Sequence, residues 1–159
     1  MRAHPLARLE PAQLTRLTWV SALGSLLCIL LLVRLGERLR TQAAPLGILS
    51  FQFAGTEARL GEILDQWGDE GRRLARLHTW VDMAFPAAYG MFLACAALGA
   101  ERRAQGRAFA GLARLGSAAA WGAWAAAGFD LAENLLGMRI LSGAVQPEAA
   151  IMAAFAAAK

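Results

Sequence analysis

The apolar positions of this chain gather into long runs, where a soluble helix bundle would show stripes. The first run, Leu17 to Val33, has 17 residues and no charge. As a helix it spans about 25 Å at 1.5 Å per residue, enough for a bilayer core. Arg16 and Arg34 bracket it, placed to reach the two interfaces. The second run, about His78 to Ala100, contains Asp82 and Pro86, and a proline inside a membrane helix is tolerated and kinks it. The third, Leu115 to about Met138, carries Asp130 and Glu133. Gly116, Ala120, Gly122 and Ala126 give it small-xxx-small spacings suited to close helix contact. A last stretch, Ala149 to Lys159, opens like a fourth helix behind Pro147 and Glu148. It is too short to span, so either the sequence stops inside that helix or the end is an interfacial stub, and the first is favoured.

Between the first two runs, residues 34–76 form a polar connection with seven arginines and six acids. Within it, Leu60, Ile63, Leu64 and Trp67 recur at helical spacing and predict an amphipathic helix over 57–67. Thr56 is suited to cap it, and Gly68-Asp69-Glu70-Gly71 to break it. Such a helix lies in the membrane interface or packs on the protein's own helix ends. Ser50-Phe51-Gln52-Phe53 alternates as a strand would.

Composition agrees with the runs: 57% of residues are hydrophobic and 18% charged, with a mean hydropathy of +0.41. This predicts an all-α transmembrane bundle with three full spans (17–33, 78–100, 115–138) and the start of a fourth (149–159). The soluble alternative is a bundle of unusually apolar helices. A basic start before an apolar run also describes a signal peptide, but the long Leu-rich run followed at once by Arg34 favours an uncleaved anchor.

The net charge of +4 comes almost wholly from arginine. These arginines flank apolar runs, so they are read as topology signals and not as a nucleic-acid surface. Residues 1–16 and the loop 101–114 together carry seven arginines and two acids. The positive-inside rule then puts the N-terminus and that loop in the cytoplasm, and 34–76 outside. His4, in the basic arm, carries no expected role. Cys28 and Cys95, at different depths in apolar runs, are read as free packed thiols.

This topology places three carboxylates in the outer third of the bilayer. Asp82 lies near the outer end of the second span, with His78 at i−4. Asp130, Glu133 and Asn134 lie on one face of the third, at i, i+3 and i+4. Ionised carboxylates at mid-bilayer cost roughly 2.5–3.5 kcal/mol each, and less near the interface. They are therefore expected to converge between the second and third spans under a lid formed by 34–76, with Phe51, Phe53 and Trp67 excluding water.

Three uses stay open for this cluster. One is structural, with Arg72, Arg73, Arg76 or Arg139 as charge partner. A second is a site for a lipid, small solute or ion, with proton coupling. The third is an intramembrane enzyme using a carboxylate with His78 as acid and base, around a hard metal. No serine, cysteine or lysine nucleophile stands beside the acids, and no metal-binding or cofactor motif is present, which favours a non-enzymatic role. Expected partners are the lipid bilayer and another membrane protein or a second copy of the chain.

Phe53-Ala54-Gly55-Thr56, Trp67-Gly68, Asp82 with Pro86, Tyr89-Gly90, and Asp130 with Glu133-Asn134 together resemble a group of small bacterial four-helix integral membrane proteins of unknown function. The resemblance covers most of residues 50–141. It implies a bacterial inner-membrane location and a complete fourth helix, and it carries over no activity.

Overall fold

The computed structural model describes residues 4–105, 115–143 and 148–157. Most of those residues are helical, with no strand among them. A 3-10 turn, Pro5–Arg8, leads into α1 (Pro11–Glu37), α2 (Ile48–Gln52), α3 (Glu57–Asp82), α4 (Phe85–Gln105), α5 (Leu115–Leu141) and α6 (Glu148–Ala157). Arg2, Arg107 and Arg114, counted above for topology, and Pro147, used for capping, lie outside the described residues.

Among the described residues, two stretches are long and apolar enough to cross a membrane: α1, and the stretch Glu57–Gln105 that holds α3 and α4. The second expected span therefore begins inside α3 and ends inside α4. Pro86 does not kink a continuous helix. It stands in the first turn of α4, where its missing N–H has no helical acceptor to lose. α5 has 27 residues but is not among the stretches apolar enough to cross. Its glycines, tryptophans and acids dilute the alanines.

The chain divides into two compact units, Met1–Leu27 with Phe85–Gly128, and Cys28–Ala84 with Phe129–Lys159. The divisions fall within α1 and within α5.

In the first unit, Leu14, Ala94, Cys95, Leu98, Ala120 and Ala123 form the core. α1 turns inward the face bearing Leu14, Ser21 and Ser25. Its hydroxyls are satisfied within the helix, Thr18 Oγ1 donating to the Leu14 carbonyl at 2.8 Å and Ser25 Oγ to that of Ser21 at 2.8 Å. Its large side chains, Trp19, Val20, Leu23, Leu26 and Leu27 among them, are exposed. On α5 the close-packed residues are Gly116, Ala120, Ala123 and Ala127, and Gly90 approaches Ala127. Gly122, expected in that contact, is exposed with open space around it. His4 is structural: its Nδ1 accepts from the Leu6 N–H at 3.3 Å, and its ring meets Trp121 edge-on at 4.8 Å. Arg102 ties down the same arm, donating to the carbonyls of Ala7 at 2.9 Å and Leu9 at 2.6 Å.

In the second unit the polar connection is folded around a core of its own. Leu39, Ala44, Phe51, Leu60, Ile63, Leu64 and Trp67 pack with Ile140, Leu141 and Met152. The apolar stripe of α3 thus faces the protein's own interior. Thr56 caps α3 by accepting from the Arg59 N–H. At Gly68 the backbone leaves the helix, with φ 56° and ψ −162°, and α3 then resumes. The break orphans carbonyls of the preceding turn, and Arg72 Nε donates to that of Leu64 at 3.2 Å. Residues 50–53 are not a strand: α2 ends at Gln52 and buries Phe51.

Candidate functional site

The candidate residues sit on two helices of the second unit. His78 and Asp82 occupy the last turns of α3, and Asp130, Glu133 and Asn134 follow one face of α5. His78 is 5% exposed, Glu133 1% and Asn134 4%. Asp82 and Asp130 are half-buried.

His78 and Asp82 share a cavity of about 290 Å³. Leu32, Val33, Gly36 and Glu37 of α1, Arg40, Leu46, and Ile48, Leu49 and Gln52 of α2 form the rest of its wall. α1 comes close to this ring at Gly36, where a Cβ would lie 3.7 Å from His78 Nε2, in ordinary van der Waals contact. The turn between α1 and α2 is held from α3. Trp67 Nε1 donates to the Leu39 carbonyl at 2.8 Å. Gln66 Oε1 accepts from the Ala43 N–H at 2.7 Å, and Arg59 Nη2 donates to the Ala43 carbonyl at 2.6 Å.

The imidazole of His78 has the Leu32 backbone as its partner on α1, while its Nδ1 is buried without a hydrogen bond. With the ring proton directed to the Leu32 carbonyl, Nδ1 presents a lone pair that calls for a donor. Two carboxylates, one guanidinium and one amide complete the polar lining, over an aliphatic wall. This set suits a small molecule rich in hydrogen-bond donors.

Asp130, Glu133 and Asn134 do not line this cavity. Asp82, Asp130 and Glu133 all have interaction partners, whereas the buried Nδ2 of Asn134 has no hydrogen-bond acceptor. Two of the four arginines named as charge partners are engaged elsewhere. Arg72 Nη2 pairs with Asp65 at 3.5 Å, and Arg76 Nη1 donates to the Leu141 carbonyl at 3.2 Å. Arg73 and Arg139 are exposed. Of the aromatics expected to cover the acids, Phe51 and Trp67 are buried in the core while Phe53 is exposed. Among the described residues no three of His, Cys, Asp or Glu are grouped so as to hold a metal ion.

Sequence reading missed Glu37, Arg40 and Gln52 as neighbours of His78. They come from the end of α1, the turn after it and a short helix, all remote in sequence, and no local spacing announces them. The chain matches no protein-family model, no curated protein and no solved structure.

Proposed function

We propose that this chain is a multi-pass helical membrane protein that binds a small, donor-rich solute in the His78–Asp82 cavity. The observation that carries the membrane reading is the polarity of α1. It buries Ser21 and Ser25 and exposes its large aliphatic residues, and only 6% of its most apolar stretch is covered by protein. A core helix of a water-soluble protein has the opposite arrangement. Lipid is the solvent that suits this surface. The chain's spans are α1 and the α3–α4 stretch, both apolar enough to cross, and as a third α5, which has the length at 27 residues but is less apolar. The arginine excess of the N-terminal arm supports a cytoplasmic N-terminus, and the resemblance to small bacterial membrane proteins supports an inner-membrane location.

Ultracentrifugation of lysed cells without detergent tests the first part. The protein should pellet with membranes and stay there after alkaline washing, and recovery in the supernatant refutes the reading. Orientation is read by labelling introduced cysteines after Cys28 and Cys95 are replaced. Gln42→Cys should react from outside and Gln105→Cys should not, and the reverse pattern inverts the topology.

The binding part rests on the unpartnered His78 Nδ1 beside the Asp82 carboxylate. A primary amine of up to about ten heavy atoms would donate to both. Thermal unfolding of the detergent-purified protein against a panel of such amines is the test. A member of the panel that raises Tm in wild type should fail to do so with Asp82→Asn or His78→Phe. A shift retained in both variants, or no shift from any amine, removes the proposal.

A further inference from the structure

The second unit holds a larger opening, of about 850 Å³, that lies apart from the His78–Asp82 cavity. Arg38, Thr41, Gln66, Trp67, Glu70, Gly71, Arg73, Leu74 and Leu77 line it, and the two cavities have no lining residue in common. Three of the four arginines on α3 are engaged with protein acceptors: Arg59 with Glu62, Arg72 with Asp65 and Arg76 with the Leu141 carbonyl. The fourth, Arg73, is exposed, as is Arg38 in the turn after α1, and both residues line the same opening. The polar wall also holds Thr41, Gln66 and Glu70. The other wall is apolar, with Leu74 and Leu77.

That apolar wall continues outside the cavity. Arg73, Leu77 and Trp80 stand at i, i+4 and i+7, on one face of α3. Leu77 is 52% exposed and Trp80 62%. A cationic mouth therefore opens onto an uncovered apolar strip that ends in a tryptophan, the residue most at home at headgroup depth. The planar donors of a guanidinium match the edge of a phosphate and can bind it through two parallel hydrogen bonds.

We propose that this opening is a phospholipid site, with Arg38 and Arg73 on the headgroup phosphate and an acyl chain laid along Leu74, Leu77 and Trp80. Gln66, Thr41 and Glu70 supply hydrogen-bond partners for a hydroxylated headgroup. Glu70 offsets one of the two arginine charges, so the wall carries a net single positive charge, matched to one phosphodiester. The site rests on the membrane reading given above, and it concerns a ligand and residues that the His78–Asp82 cavity does not use.

The test is lipid retention by full-length protein purified in neutral detergent, measured by native mass spectrometry with added phosphatidylglycerol or phosphatidylcholine. A parallel arm adds inorganic phosphate. Wild type should retain phosphatidylglycerol at least tenfold better than the Arg38→Gln/Arg73→Gln double variant. Arg103→Gln, outside the opening, should behave as wild type. Inorganic phosphate up to millimolar levels should not displace the lipid, because it lacks the chain that occupies the apolar strip.

Equal retention by wild type and double variant overturns the proposal. So does displacement by inorganic phosphate, which assigns the site to the free ion. Both substituted positions are exposed, so the variant should keep its helical circular dichroism. It should also pellet with membranes like wild type, so a failed lipid assay leaves the membrane reading standing. A supernatant protein would refute that reading whatever the lipid result.

Discussion

The indole N–H of Trp67 donates to the carbonyl of Leu39, 28 residues earlier, at 2.8 Å. That bond fixes the first half of α3 against the turn that leaves α1, and the same ring packs on Phe51 at 5.5 Å between centroids. Trp67→Phe keeps most of the packing and orphans one buried carbonyl, so it should lower stability by about 1–3 kcal/mol. Trp67→Ala also opens a void and should cost about 3–5 kcal/mol. Denaturant titration in detergent, followed by circular dichroism, should place the two variants in that order.

Two glycines should respond to alanine with opposite signs. Gly47 has φ 60°, and a Cβ there would lie 2.8 Å from the Gly36 carbonyl oxygen. Gly47→Ala should destabilise by about 1–3 kcal/mol through backbone strain, with the clash adding to it. Gly61 lies inside α3, and a Cβ there would meet nothing within 4 Å. Gly61→Ala should stabilise by about 0.5–1 kcal/mol. Melting temperatures of the pair give the comparison.

Leu26 is 51% exposed near the middle of the first apolar run. In a water-soluble protein, Leu26→Asp on such a surface would change stability by within about 0.5 kcal/mol. Facing lipid, it should lower insertion by roughly 3 kcal/mol. The fraction of protein reaching the membrane, measured by carbonate extraction, should fall accordingly.

His4 should make the N-terminal arm sensitive to acid. Burial holds its imidazole below the ordinary value of 6.5, and its Nδ1 already accepts the Leu6 N–H, which a protonated ring cannot do. The folded arm thus binds protons less readily than the opened one. Its docking free energy should be complete above pH 6.5, decline as pH falls through that value toward the folded pKa, and level off below it. Hydrogen exchange at the Leu6 amide should accelerate over that interval, and His4→Gln should abolish the pH dependence.

Whether a feature was legible depended on how local its cause was. α1 is readable because one uninterrupted run with arginines at both ends decides it. The stripe of Leu60, Ile63, Leu64 and Trp67 is readable because helical spacing repeats over several turns. Ser50 to Phe53 is too short to separate the two periods. On a helix, Phe51 and Phe53 point about 200° apart, which is why one is buried and the other exposed. The core of the polar connection is hidden because Leu39, Ala44 and Phe51 follow no repeated spacing, and only tertiary contact gathers them. The pairing of His78 with Asp82 follows from i, i+4 spacing, whereas the approach of Arg40 and Gln52 depends on a turn with no spacing to read.

Gly68 bends α3 in a backbone conformation, φ 56° and ψ −162°, that is essentially closed to residues with a β-carbon. The space around it is open, so the restriction is the chain's own and no neighbouring repacking relieves it. Every first- or second-base change in a glycine codon specifies a bulkier residue or a stop. Tolerated inherited variation at position 68 is therefore confined to silent third-base exchange, and a lineage could shift this bend only by relocating the glycine.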